Sequence, residues 1–324
     1  MFIMVSKITK KEGWLSYMGD FIIETKGLTK KYGEQYAVKN VNMHVKKNTI
    51  YGLLGRNGAG KTTVMKMLLG IVKPTSGEIR IFGKDIKNNE REILPRIGNL
   101  IERPGFYPNL TGTENLKIFA ELRGIPQKDA VEKALDLVSL PYKEKKLFGE
   151  YSLGMKQRLG IALAIMHDPE LLILDEPING LDPIGIAEMR KLLRDLCDKK
   201  GKTIIISSHI LSEIEMISDD IGIIDNGVLI EEASISDLKN KNRKSIGFCV
   251  SDTNRAAALL EDEFGIRNYG VSSEDKIFVY DFSCDVSTLI KAFVKNDIDV
   301  YDAHVYENSL EDYFKKITGG VGIA

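Results

Sequence analysis

Cysteine is scarce in this chain: three residues in 324, Cys197, Cys249 and Cys284, far apart and without the paired spacing of a zinc site. That excludes a disulfide-stapled scaffold and a cysteine-built metal centre, and it fits a reducing cytosol. Long apolar runs are missing too. No stretch approaches the roughly 18 residues that cross a bilayer, and the opening "MFIMVSKITKKEGWLSYMG" falls well short of a secretory core before Lys7 and Lys10 interrupt it. The expectation is a soluble protein able to dock on a membrane protein. Net charge is almost nil, 45 basic against 46 acidic residues leaving −1. No global field therefore draws the chain toward nucleic acid or an anionic membrane.

What is plentiful is globular material, 43% hydrophobic and 28% charged, enough for one large domain and a small one. Residues 1–19 read as an N-terminal extension, because Met18 stands just ahead of the strand-like "FIIETKGL". From 20 to about 82, short β-rich runs alternate with Gly, Asn and Lys turns. Helical periodicity dominates 112–168. "LLILD" and "TIIIS" are apolar without alternation, as in strands covered on both faces of a parallel sheet, and "IAEMRKLLRDLCDKKG" supplies a crossover helix between them. The Lys/Asn-rich "LKNKNRKS" marks a linker, set at 236–245. Residues 246–324 then alternate strand and helix as an accessory α+β domain similar to half-symmetric ferredoxin-like folds. No chemistry is visible in it.

The chemistry lies earlier. "GRNGAGKTT", Gly55 to Thr63, fits G-x-x-x-x-G-K-[ST] between a strand ending at Leu54 and a helix beginning near Gly60, which is the context that motif requires. Glycines at 55, 58 and 60, with Arg56, Asn57 and Ala59 between them, let backbone N–H groups face a phosphate chain, and the helix N-terminus adds positive potential. Lys61 brings a point charge to the outer phosphates, Thr62 a hydroxyl for Mg²⁺, and Thr63 approaches the α-phosphate. "LLILDEP" ends an apolar strand in Asp175, suited to the Mg²⁺ shell, and Glu176, suited to a water attacking the terminal phosphate. Alone, this reads equally as a capped turn. "TIIISSH" delivers His209 to a strand end, within reach of a terminal phosphate, although a lone histidine is usually structural. "YSLGMKQRLGIA" sets Ser152 and Gly154 before a helix, either a second anion-binding end or a simple N-cap.

In that order "GRNGAGKTT", "YSLGMKQR", "LLILDEP", "NGLD" and "SSH" resemble the ATP-binding cassette of ABC transporters, over about residues 20–235. The resemblance implies an α/β P-loop NTPase with a RecA-like core, an antiparallel β subdomain and an α-helical subdomain. It implies ATP and Mg²⁺ as cofactors, Glu176, His209 and Lys61 as catalytic groups, and Thr62 and Asp175 on the metal. Tyr32 in "KKYG" matches the aromatic that stacks on adenine, and Asp182 the loop coupling two sites. Two cassettes close head to tail in that family, so Ser152 and Gly154 are expected on ATP held by the partner's Lys61. A separate transmembrane permease is implied, with the chain peripheral on the inner face of the cell membrane.

Two departures stand out. The signature reads "YSLGM" where LSGGQ is usual, keeping the serine and second glycine. The usual Q-loop glutamine is Glu102, in "IERPGFYPNLTGTENL", expected on the nucleotide and the metal, where it adds a charge the cation must offset unless it is turned toward the membrane subunit, and expected to couple more than it catalyses. This glutamate, with "SLGMKQRLGIA" and the closing "YENSLEDYFKKITGG", resembles cassettes of bacitracin-, lantibiotic- and related antimicrobial-peptide-resistance transporters. Export of a lipid or another drug is the alternative within transport. A non-transport cassette acting on nucleic acid or ribosomes is disfavoured by the single cassette, the missing coiled-coil insertion and the near-zero charge, so no nucleic acid is expected. A P-loop GTPase would need N/T-K-x-D, which is absent.

Overall fold

The computed structural model describes residues 21–102, 104–125, 129–241, 245–273, 275–306 and 310–318; the extension expected at 1–19 lies outside them. The chain divides into two compact units after Ile235. In the first unit a six-stranded sheet runs in the order Val228–Ser234, Asp220–Asp225, Ile50–Leu54, Thr203–Ser208, Leu171–Leu174, Ile97–Leu100. Only the Val228–Ser234 edge is antiparallel; its five neighbours pair in parallel.

The continuous apolar runs of the sequence become the innermost strands. Ile50–Leu54, Leu171–Leu174 and Thr203–Ser208 are buried at every position, because a parallel sheet is covered on both faces. Their register, Leu54 opposite Ser208 and Leu174 opposite Ile206 and Leu100, brings their C-terminal ends to one edge. The residues after those ends converge there, as ligand sites do in open α/β sheets.

A five-stranded antiparallel sheet, centred on Phe21–Tyr32 and flanked by Gln35–Val41, His44–Lys46, Ser76–Ile81 and Lys84–Asp85, forms the second layer. Helices Gly112–Leu122, Ala130–Leu137 and Leu153–Ile165 form the helical part. The first of these carries a full capping box, with Thr111 and Glu114 satisfying each other's N–H groups.

The second unit runs strand, helix, strand, strand, helix, strand: Ser245–Val250, Thr253–Phe264, Tyr269–Ser273, Lys276–Val279, Val286–Lys295, Val300–Tyr306. Its sheet order, second-third-first-fourth, is that of a split β-α-β arrangement, with Phe248 and Phe293 meeting edge to face in the core. Much of the segment expected as a linker, 236–245, falls in the helix Ile235–Lys241, whose Ile235 and Leu238, three apart and therefore on one helix face, are both buried. Among the described residues no helix is long and apolar enough to cross a membrane.

Candidate functional site

The strand Ile50–Leu54 runs into the loop Gly55–Gly60 and then the helix Lys61–Leu68. Two glycines are required by geometry. A Cβ at Gly55 would sit 2.3 Å from the Ile224 carbonyl oxygen, and one at Gly60 2.5 Å from that of Ala37, where φ is also +107°. Gly60 offers no side-chain cap to the helix, so the first N–H groups of Lys61–Leu68 keep the character of an open anion site.

Lys61 is almost fully buried. Its ammonium folds back over the loop, donating to Gly55 O at 2.6 Å and Arg56 O at 3.3 Å, and it stands 3.3 Å from Glu176 Oε1. Glu176 Oε2 meets His209 Nδ1 at 2.9 Å. Thr62 donates its hydroxyl to Asp175 Oδ2 at 2.7 Å. Five of the predicted residues thus form one continuous cluster drawn from three strand ends. Glu176 has φ +48°, a left-handed conformation costly for a non-glycine residue. Its Oε1 is shielded from solvent and receives no hydrogen bond, its partner being the Lys61 ammonium held as an ion pair at 3.3 Å.

Other predicted residues are placed differently. Arg56 turns its guanidinium onto Asp225, with contacts of 3.2 and 2.8 Å to Oδ1, so the loop carries its backbone and not its charge. Tyr32 ends its strand exposed, its ring 4.9 Å from the Lys30 ammonium. Asn57 and Gly58 are exposed on the loop, Ala59 is buried and Thr63 half-buried on the helix. Glu102, at φ +66°, lines a cavity of about 410 Å³ together with Asp175 and Glu176. Its carboxylate is nevertheless paired with Lys66 of the P-loop helix at 2.7 Å. That hydrogen bond and the ammonium charge hold its carboxyl below the usual range and raise the lysine.

Ser152 caps the helix Leu153–Ile165 by accepting the Met155 N–H at 3.2 Å. With Gly154 it borders a separate hollow of about 660 Å³ that also takes in Gly180, Leu181 and Asp182. Asp182 in turn caps Pro183–Asp198, accepting the Gly185 N–H at 2.9 Å. Tyr151, the departure at the first signature position, is buried; burial pushes its phenol up, and its oxygen accepts the Gly112 N–H.

Residue 207 was assigned no role in the sequence. Ser207 Oγ donates to Asp175 Oδ1 at 2.5 Å and accepts the Glu176 N–H at 2.8 Å. The first serine of "SSH" is the available signal, since a hydroxyl inside a fully buried apolar strand needs partners.

Comparison with known proteins gives the family. Residues 38–179 fit the family described as ABC transporter. The chain is 53% identical over 305 residues to the bacitracin transport ATP-binding protein BcrA of Enterococcus faecalis, covering 94% of this chain and 99% of that one. The chain belongs to the ABC transporter ATP-binding proteins. A second relative of this cassette, BcrA of Bacillus licheniformis, is 54% identical over 92% of this chain and 98% of its own. Among solved structures, cbiO1 from Clostridium perfringens, part of the ABC transporter complex cbiONQ, superimposes on the cassette with TM-score 0.63 at 28% identity. It covers 68% of this chain and 92% of its own. The dimeric MJ0796 cassette in a post-hydrolysis state bound to ADP and phosphate gives 0.59 at 25% identity, covering 66% and 98%.

Metal fit follows from donor chemistry. Among the described residues no group of three or more His, Cys, Asp or Glu could hold a metal ion. Thr62 and Asp175 instead offer two oxygens at a phosphate-binding loop. That suits Mg²⁺, which prefers one or two protein oxygens completed by phosphate and water.

Proposed function

We propose that this cassette hydrolyses MgATP to drive a separate membrane permease that removes bacitracin-like antimicrobial peptides, working at the inner face of the cell membrane as a head-to-tail pair. The observation that carries the substrate reading is identity above one half, over nearly the whole of both chains, to two bacitracin transport ATP-binding proteins.

The chemistry follows from the cluster. Lys61, withdrawn from the Gly55 and Arg56 carbonyls, neutralises the outer phosphates. Thr62 and Asp175 would hold Mg²⁺, which when bound offsets phosphate charge. Glu176, whose Oε1 is paired with the Lys61 ammonium at 3.3 Å and is released as that ammonium turns to the phosphates, takes the proton of the attacking water, and its left-handed backbone is fixed by the bond to Ser207. His209, 2.9 Å from Glu176, orients that base and reads the presence of the γ-phosphate. Tyr32 stacks on adenine. Ser152 and Gly154 close on the ATP of the partner cassette, with Asp182 joining the two sites. Glu102 couples nucleotide state to the permease: its side chain is largely exposed at 71% and tied to the P-loop helix through Lys66.

The test is protection of cells expressing the chain with its permease against bacitracin and a lantibiotic panel. Wild type protects and Glu176→Gln does not, with ATP turnover down about 100-fold or more; Glu102→Gln costs protection more than it costs hydrolysis. Wild-type expression that leaves susceptibility unchanged across the panel removes the peptide substrate and leaves export of a lipid or another drug.

A further inference from the structure

Asp175 and Glu176 are neighbours in sequence with different duties, and one buried hydroxyl touches both. Ser207 sits at 1% exposure in the strand Thr203–Ser208. Its single proton goes to Asp175 Oδ1 at 2.5 Å, and its lone pair takes the Glu176 N–H at 2.8 Å. The other carboxylate oxygen, Oδ2, faces Thr62 at 2.7 Å. The two oxygens of Asp175 are therefore distinguished: one is fixed from behind by the sheet, the other is presented to the P-loop helix.

We infer that Ser207 is a positioning residue that selects which oxygen of Asp175 meets the metal and, through the same hydroxyl, sets the backbone from which Glu176 projects. The inference rests on the proposed MgATP chemistry. Its physical basis is the loss of two restraints together. Without the hydroxyl, the Asp175 carboxylate turns about its terminal torsion, a broad and soft one. The Glu176 N–H loses its partner in a part of the chain already held at φ +48°. Losing a hydrogen-bond partner of a ligating carboxylate commonly costs about 10- to 100-fold in metal affinity or activity.

The experiment compares full-length wild type, Ser207→Ala and Ser207→Thr in two readouts: titration with a fluorescent ATP analogue in excess Mg²⁺ and in EDTA, and the Mg²⁺ dependence of ATP turnover. Thermal melts establish that each variant is folded. Ser207→Ala is expected to bind the analogue as wild type does in EDTA, to lose about 10-fold of the affinity gained with Mg²⁺, and to need correspondingly more Mg²⁺ for half-maximal turnover. Ser207→Thr, which keeps the hydroxyl, restores both; where its added methyl lowers the melt, Ser207→Cys, with a weaker donor, is expected to fall between wild type and alanine. Equal Mg²⁺ dependence in wild type and Ser207→Ala overturns the inference while wild-type hydrolysis keeps the proposed function. A wild-type chain that neither binds nor hydrolyses MgATP overturns both.

Discussion

Two helices of the cassette begin at ends suited to phosphate, and they begin differently. Lys61–Leu68 starts from Gly60, which has no side chain to offer and a backbone that only glycine adopts comfortably. Leu153–Ile165 starts from Ser152, whose hydroxyl already accepts the Met155 N–H. The first end keeps its donors for a ligand, and its charged companions Lys61, Asp175, Glu176 and His209 are assembled within one chain. The second has one N–H already held by its own cap, and the hollow at its tip brings Asp182, Arg158 and Glu188 instead of the lysine–carboxylate–histidine cluster, so a phosphate reaching it shares donors with the cap. One site is complete locally and the other is conditional, which is the division of labour expected of a cassette that closes against a partner.

The largest effect should come from giving the open end a side chain. Gly60→Ala places a Cβ 2.5 Å from the Ala37 carbonyl oxygen at φ +107°, strain of about 1–3 kcal/mol. Nucleotide affinity by equilibrium titration should fall roughly 10- to 100-fold; undiminished binding would break the contrast at its first half. The second half is sharpened by paired substitutions at Ser152. Ser152→Ala loses the cap and about 1 kcal/mol of stability, together with ATP-dependent association. Ser152→Asp keeps a good cap but sets a carboxylate against the incoming phosphate, so it should melt like wild type and still fail to pair in sedimentation. Pairing by Ser152→Asp would show that this end meets no anion.

The smallest effect is a control away from both ends. His44 shares Glu232 with Tyr51, at 2.9 and 2.8 Å, and its hydrogen bond to Glu232 raises its pKa above 6.5. A raised value means the folded state favours the proton. The contribution is therefore full below about pH 6.5 and is lost as pH rises through the raised value. Relative to His44→Gln, wild type should melt roughly 1–2 °C higher at pH 6, with the gap closing toward pH 9. A gap that widens with pH would contradict the assignment.

The P-loop, Asp175, Glu176 and His209 were legible in the sequence because each lies within a few residues of a strand end or helix start whose pattern is local. Their meeting point followed from topology, since parallel strands deliver such residues to one edge. What was not legible depends on partners distant in sequence. Arg56 was read for its backbone in the loop, and nothing local showed that its guanidinium is held by Asp225, far along the chain. Glu102 was readable as a carboxylate near the site, but its partner Lys66 on the P-loop helix was not. Ser207 sits in a quoted motif, but its bonds to Asp175 and to the Glu176 N–H appear only once two strands are in register. The helix Ile235–Lys241 was hidden by polar composition, because among its described side chains only Ile235 and Leu238 are buried.

The Asp175 N–H donates to the Leu100 carbonyl at 2.8 Å, beyond the last paired residues of the strands Ile97–Leu100 and Leu171–Leu174. Two residues past that carbonyl the chain reaches Glu102. The loop is thus a short lever with its fulcrum on Leu100. A tug delivered to the exposed carboxylate therefore has two ways into the site, through Lys66 to the P-loop helix and through the Leu100 carbonyl to the backbone that carries Asp175.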